Sequence, residues 1–480
     1  MNTLAGRAGM PASGPESLAG LVRAKTGANV HRCWQCVKCT SGCPLAEQFD
    51  LTPNQVMRAL QLNDAGVLES RAIWLCASCH TCATRCPRDI DVTAVMDTLR
   101  VEAQRRGVPP AIPEIPAFNS IFMRLVGFFG RVPEALLMGA FNVARGKLAQ
   151  DAGLGWQLWR RGRLKLIPAF VRPGRPVTPV ANGENKVGYF PGCASEGSAF
   201  EYDRTARSAA QALDIELVEP EGWTCCGSSP AHATDPELAT VMPMRTIAML
   251  ERMQIDTLTS PCSACFARLK AAQQDLSVDP AKAALAAQAT GHTFSGTVKV
   301  QHLLDTYMER AGTEGIAKRV RRPLAGLKVA CYYGCLITRP SRVTAAEHPE
   351  YPMKMDELVR ALGATPVAWS GKTDCCGGSL SVTQTEAALR MTRRILENAR
   401  ACGAELVVTM CPMCHMNLDA RQPRLELDAG IPIVHATQLM VLAFGMGAGA
   451  ALLETAIVDP RPLLKAKGLL AKMPEADLSA

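Results

Sequence analysis

Cys225-Cys226-Gly227 returns as Cys375-Cys376-Gly377, and each triplet sits in the same frame. Upstream of each is an aromatic turn that ends in a lone cysteine: Tyr189-Phe190-Pro191-Gly192-Cys193 and Tyr332-Tyr333-Gly334-Cys335. Downstream of each is a Cys-x-x-Cys, Cys262/Cys265 or Cys411/Cys414. In the first copy 31 residues separate the lone cysteine from the pair and 35 separate the pair from the Cys-x-x-Cys; in the second the gaps are 39 and 34. Thiolates at such short, repeated spacings are metal ligands. Ten cysteines in two near-equal frames therefore describe two equivalent metal sites in a duplicated domain.

The rest of the composition suits that reading. A chain of 480 residues has room for two or three domains with their own cores. It is 48% hydrophobic and 20% charged, as ordinary globular proteins are. A net charge of +8 is too small and too scattered to imply nucleic acid. Twenty cysteines in so long a chain do not read as a disulfide framework, because disulfide-dense scaffolds are small. Met1 to Leu21 shows no basic start followed by an apolar run, so no secretory signal is expected, and a reducing cytoplasm fits the free thiols. Ala436 to Leu453 carries no charge and reaches membrane-spanning length, but Gly445, Gly447 and Gly449 interrupt it. It reads as a buried helix ending near Phe444.

Two further cysteine runs precede the duplicated frames. Cys33-x-x-Cys36-x-x-Cys39-x-x-x-Cys43-Pro44 recurs as Cys76-x-x-Cys79-x-x-Cys82-x-x-x-Cys86-Pro87. This is the spacing of two-cluster ferredoxins, in which three thiolates of one loop hold a [4Fe–4S] cubane and the fourth cysteine serves the other cube. The expected sets are Cys33, Cys36, Cys39 and Cys86 for one cubane, and Cys76, Cys79, Cys82 and Cys43 for the other. Zinc also uses Cys-x-x-Cys, but the third and fourth cysteines before proline, twice over, argue against it. Between the runs, Thr52 caps and Pro53 opens an expected helix to Glu69, with Val56, Leu60 and Val67 near one face. The domain is then an α-helical ferredoxin domain.

The expected order is a disordered lead (1–22), the α-helical ferredoxin domain (23–105), a helical and basic linker (106–185), two α/β repeats (186–320 and 321–460) and a tail (461–480). Residues Ala135 to Ala144 read as helix. Arg160, Arg161, Arg163, Lys165, Arg172 and Arg175 form a run without an acid, read as a solvated linker or docking surface; Pro173 to Asn185 is the expected tether. From Lys186 strand and helix alternate: strands at 187–190, 215–218 and 256–259 with helices at 200–213 and 236–253, then strands at 327–333 and 405–409 with helices at 353–362 and 386–401. Alternation argues parallel α/β units, with the cysteines just beyond strand ends. The fold class is therefore α plus duplicated α/β. No Gly-x-Gly-x-x-Gly follows a strand, so flavin or nicotinamide belongs to another chain.

At this point the residues resemble a known family. Residues from about 25 to 170 are similar to the C subunit of heterodisulfide reductase, and those from about 186 to 460 to its catalytic B subunit, on Tyr189-Phe190-Pro191-Gly192-Cys193, Cys331-Tyr332-Tyr333-Gly334-Cys335 and both Cys-Cys-Gly triplets. The resemblance implies a noncubane [4Fe–4S] cluster in each frame: one on Cys193, Cys225, Cys226, Cys262 and Cys265, the other on Cys335, Cys375, Cys376, Cys411 and Cys414. Cys331 and Cys402 fall outside both frames and read as small buried residues. The implied activity is reductive cleavage of a small-molecule disulfide, with the two cubanes as the wire. The implied partners are a flavoprotein electron donor, a hydrogenase or a membrane cytochrome, within a hetero-oligomer at the inner face of the membrane. The alternative is a non-catalytic electron-transfer subunit like the iron–sulfur subunits of glycolate oxidase or anaerobic glycerol-3-phosphate dehydrogenase. His80, His302 and His415 are candidate proton donors or hydrogen-bonding neighbours of thiolate ligands.

Overall fold

The structure, a computed structural model, describes residues 17–171, 183, 185–427 and 429–470. It divides into two compact units that meet in sequence between Pro116 and Ala117.

The described part of the first unit is helical and contains no strand. Helix Leu18–Thr26 is capped by Ser17, whose Oγ accepts the Gly20 N–H at 3.0 Å. Leu18, Ala19 and Val22 are buried, so the expected lead to residue 22 ends inside an ordered helix; residues 1–16 lie outside the described residues. Helix Pro53–Gln61 opens on a reciprocal cap between Thr52 and Gln55, with the Thr52 N–H donating to Gln55 Oε1 at 2.8 Å. The helix expected to reach Glu69 stops at Gln61. Asn63 turns left-handed at φ +55°, and the Asp64 carboxylate accepts the Gly66 N–H to start a short 3₁₀ turn, Ala65–Glu69. Asn and Asp side chains compete with helical bonding in this way. Helix Val92–Arg105, capped by Asp91, completes a core of Val22, Val56, Leu60, Trp74, Val95 and Leu99.

The second unit opens with helices Glu114–Phe129, Glu134–Ala144 and Ala152–Arg160. Two four-stranded parallel sheets follow. The first comprises β1 (Lys186–Tyr189), β2 (Glu216–Val218), β3 (Thr257–Ser260) and β4 (Lys299–His302), in the order β2-β1-β3-β4. The second comprises β5 (Lys328–Tyr332), β6 (Thr365–Pro366), β7 (Leu406–Thr409) and β8 (Ile433–His435), in the order β6-β5-β7-β8. The chain leaves β1 towards β2 and returns on the other side to β3, which opens a crevice between β1 and β3. The second sheet does the same at β5 and β7. Parallel sheets place ligands at such reversals.

One apolar layer joins the sheets: Val187, Ala206 and Tyr307 of the first repeat share it with Val329, Leu358, Val408 and Leu439 of the second. The uncharged stretch after Ala436 is helix Ala436–Ala443, fully buried, ending at Phe444 before Gly445 at φ +77°. Among the described residues no helix is long and apolar enough to cross a membrane.

Residues 117–171 are not a solvated linker. Phe122, Val126 and Leu137 pack on Cys225, Ala231 and Met242, and the Gly130 carbonyl accepts the Cys225 N–H at 2.9 Å. Arg163, expected on a solvated run, is fully buried. The Pro173–Asn185 tether falls almost wholly outside the described residues.

Candidate metal centres

In the first unit the two cysteine loops are backbone copies. Gln35 and Val37 take left-handed conformations (φ +56° and +65°), and so do Ser78 and His80 (+49° and +57°) at the same positions of the second loop. A β-branched residue at positive φ is rare. Successive N–H groups in such turns converge into a concavity suited to negative charge. Each loop then enters one helical turn, Lys38–Ser41 or Thr81–Thr84. Cys33, Cys36, Cys39 and Cys86 line one cavity together with Trp34 and Arg88. Cys43 instead feels Cys79 and Cys76, and Cys82 feels Cys76, Cys79 and Cys43. Burial pushes the Cys76 thiol up to about 12, against the opposing pull of Arg100, and pushes Cys43 and Cys82 up as well.

In the second unit, Cys193 follows β1 and Cys335 follows β5, while Cys262 and Cys411 follow β3 and β7 and cap helices Ser263–Val278 and Pro412–Ala420. Each Cys-Cys-Gly pair departs from the expected placement: it sits on a longer loop beyond the edge strand. The loops nevertheless bring it back to the crevice. Cys226 Sγ is 3.4 Å from Cys265 Sγ, Cys376 Sγ is 3.8 Å from Cys414 Sγ, and Cys335 Sγ is 4.0 Å from Cys375 Sγ. These are contacts, far from the ~2.05 Å of a disulfide, and none of the twenty cysteines is in a disulfide. The Gly227 N–H points to Cys225 Sγ and the Gly377 N–H to Cys375 Sγ, both at 3.4 Å. Hydrogen bonds that its S–H donates to Cys193 and Cys226, then burial, hold the Cys225 thiol well above its usual range. The two sets are neighbours: Cys262 and Cys411 influence each other's ionisation across the repeats.

The glycines show that the crevices are shaped around sulfur. A methyl group on Gly192 would stand 3.1 Å from Cys265 Sγ, and one on Gly334 would stand 2.8 Å from Cys414 Sγ. Both glycines have positive φ. Five thiols packed this tightly, and mostly buried, cannot all ionise without a compensating cation. A metal that replaces their protons resolves the conflict, so the residues fit iron–sulfur clusters.

Several contributors carry no legible sequence signal. The Val132 N–H points to Cys193 Sγ at 3.5 Å. Arg131 lies 3.6 Å over the Trp223 ring, donates to the Trp223 carbonyl and pairs with Glu196. In the second set the carbonyl of buried Lys372 accepts the N–H groups of Tyr333 and Gly334, which fixes the turn before Cys335. The Lys372 ammonium is paired with Asp356 at 2.7 Å.

The histidines divide. His415 is buried; its Nδ1 accepts from Arg163 at 3.3 Å and its Nε2–H donates to the Ile433 carbonyl at 3.2 Å. Burial, then Arg163, holds it neutral, so it is a positioned hydrogen-bonding group and not an imidazolium acid. His302 is buried, kept neutral by burial, and accepts the Leu304 N–H. His80 sits on its loop with Nδ1 3.9 Å from Asp91. Glu201, His415 and His435 bring ligand-type atoms within 4.8 Å of one another, but the Arg163 guanidinium, 3.4 Å from Glu201 and 3.2 Å from Asp419, supplies the positive charge there. Cys331 is buried away from both sets, whereas Cys402, expected to be buried, is exposed at a helix end, its thiol 3.5 Å from Asn398.

Fold and thiol geometry thus define an iron–sulfur protein with a helical dicluster unit and a duplicated cysteine-rich unit. Comparison with known proteins agrees. Residues 187–270 and 329–419 match the family described as Cysteine-rich domain, and residues 32–91 match the 4Fe-4S dicluster domain. The chain is 33% identical over 285 residues to the 8-methylmenaquinol:fumarate reductase membrane anchor subunit of Wolinella succinogenes, covering 58% of this chain and 99% of that one. It is 30% identical over 271 residues to the B subunit of the ferredoxin:CoB-CoM heterodisulfide reductase of Methanosarcina mazei, covering 54% of this chain and 90% of that one. Over 87 residues it is 37% identical to the C subunit of the Methanosarcina acetivorans enzyme, covering 18% of this chain and 35% of that one. A hypothetical protein from Helicobacter pylori has a similar fold (TM-score 0.50, 10% identity, 64% of this chain); the match spans 57% of that protein. The chain belongs to the heterodisulfide reductase family, with counterparts of that enzyme's C and B subunits fused in one polypeptide. It is an iron–sulfur electron-transfer subunit of the kind found in multi-subunit oxidoreductases.

Proposed function

We propose that the two five-cysteine sets form a reductive centre that cleaves a small-molecule disulfide into two thiols, fed through two cubanes held by the N-terminal loops. The observation that carries this reading is that both sets are complete and close enough for Cys262 and Cys411 to influence each other's ionisation. When bound, the clusters would supply single electrons and iron sites with affinity for sulfur.

The protein's own residues do the remaining work. Gly192 and Gly334 leave room beside Cys265 and Cys414. Arg131, Val132, Glu134, Lys165 and Glu196 line a small cavity that reaches Cys193. His415 holds the start of helix Pro412–Ala420 against Arg163 and β8, which fixes Cys411 and Cys414. The cubane ligands in this reading are Cys33, Cys36, Cys39 and Cys86, and Cys76, Cys79, Cys82 and Cys43.

The test is electron paramagnetic resonance of anaerobically purified, oxidised protein with and without low-molecular-weight thiols, with iron quantified alongside. About sixteen irons per chain and a thiol-dependent paramagnetic signal are expected. Full iron with no thiol response would sink the disulfide reading. It would favour a second reading, a relay subunit serving a separate catalytic chain, which the likeness to a fumarate reductase subunit supports.

A further inference from the structure

We propose that the surface carried by residues 124–170 docks directly on an anionic lipid bilayer, with the protein lying on the membrane and not crossing it. Of the seventeen large apolar side chains exposed among the described residues, nine lie between Phe128 and Phe170.

They are arranged, not scattered. In helix Glu134–Ala144, Leu137 and Phe141 face the core while Leu136 and Val143, two turns apart, share the exposed stripe. In helix Ala152–Arg160, Leu158 is buried while Trp156 and Trp159 stack on each other at 4.9 Å, 58% and 47% exposed. The segment after it presents Leu166 and Ile167, the latter 81% exposed, and Phe170 closes back edge-on against Phe128 at 5.5 Å. These elements adjoin: the Val171 N–H bonds the Phe129 carbonyl, and Asn142 bonds the Gln150 carbonyl.

The segment is rich in positive charge. Residues 117–171 hold eight Arg and Lys against Glu134 and Asp151. Both acids are engaged within the protein, Glu134 by Ser198 and Asp151 by Arg421. Arg124, Lys147 and Arg160 stand exposed among the apolar groups, whereas exposed Lys165 is 3.8 Å from Glu196. Trp with Lys and Arg on one apolar surface is the signature of the membrane interface, where indole rings sit at headgroup level and cations meet anionic lipid. A protein partner is the poorer fit, because protein interface cores are depleted in lysine and in charged residues.

The test uses the full chain with its clusters, sedimented with phosphatidylcholine vesicles with and without about a third phosphatidylglycerol. Co-sedimentation with the anionic vesicles, at least tenfold weaker on neutral ones and released by salt, is expected. Trp156→Ser with Trp159→Ser should weaken it at least tenfold. Arg160→Gln and Lys147→Gln should each weaken it about fivefold. Unchanged iron content and melting temperature show that these variants fold; Leu148→Gln, on another exposed side chain of the same surface, is a second probe. No sedimentation at low salt, or undiminished binding by the tryptophan double variant, overturns the proposal. So does a concentration-dependent self-association, seen by sedimentation velocity, that the same substitutions abolish, since the surface would then be a protein interface. Vesicle binding requires no turnover, so this outcome is separate from the fate of the disulfide reading.

Discussion

At Gly334 a left-handed turn and a sulfur atom compete for the space of one methyl group. The backbone is at φ +72° and an added Cβ would stand 2.8 Å from Cys414 Sγ. Gly334→Ala therefore pays about 1–2 kcal/mol for the turn and also displaces a thiol. It should lose about four irons per chain by colorimetric assay. Gly27 is a control, because it has the same φ but open space around it; Gly27→Ala should lose stability and keep all its iron. Arg163 is a second case. Its guanidinium spans half-buried Ser198 and buried Glu201, His415, Asp419 and Thr455. Arg163→Leu leaves two carboxylates uncompensated and should destabilise the unit by about 3–5 kcal/mol in chemical denaturation. Glu134 gives a pH dependence. Burial, opposed by hydrogen bonds from Ser198, raises its carboxyl from 4.5 to about 7. The folded state therefore holds a proton that the unfolded chain releases near 4.5. The associated stability is present below that pH and is lost as pH rises through about 7. Glu134→Gln should remove roughly 2 kcal/mol of that decline, discounted for the partial exposure of the residue, in melts across this window. Of these residues only Gly334 stands out in the sequence, one place before Cys335. Arg163 reads as one more cation in a basic run, because its partners are contributed by segments far along the chain.

At the scale of elements, the cysteine loops hold a backbone conformation that their side chains do not favour. Val37 sits at φ +65°, where a β-branched residue is strained by roughly 1–3 kcal/mol, while glycine itself costs about 0.5–1 kcal/mol in entropy. Val37→Gly should therefore raise the melting temperature modestly, by about 1 kcal/mol in stability, with iron content unchanged. Iron loss would mean that the valine side chain shields the site. The loop strain is invisible to spacing, which gives ligands but no dihedral angles. Elements with strong periodicity were legible: helix Thr385–Ala401 and strands β1, β3, β5 and β7 fall within a residue or two of expectation. β6 is two residues long, too short for alternation to register, while β4 and β8 are no shorter than β2 and were still not expected. Helix Ser263–Val278 went unread, because its Ala, Gln and Ser leave little contrast between its faces.

At the scale of the molecule, the duplication carries the functional argument. Two complete sets that are neighbours through Cys262 and Cys411 predict that neither is sufficient. Cys226→Ala and Cys376→Ala each remove a buried thiol from one set and leave the N-terminal loops untouched. Each variant should still accept electrons into the dicluster unit on dithionite titration, and each should lose disulfide turnover by at least about a hundredfold, some 2.7 kcal/mol in the barrier. The repeats are not equivalent in their surroundings, however. Helices Glu114–Phe129 and Glu134–Ala144 pack against Cys225 and Cys193 of the first set, whereas the buried Lys372–Asp356 pair supports the turn into the second. A reductase in which each set receives one sulfur of the substrate predicts comparable loss from both substitutions in spite of this asymmetry. A relay predicts unequal loss, confined to whichever set lies on the electron path. The ratio of the two residual rates, measured on iron-replete protein, therefore separates a centre that breaks a bond from one that passes electrons on.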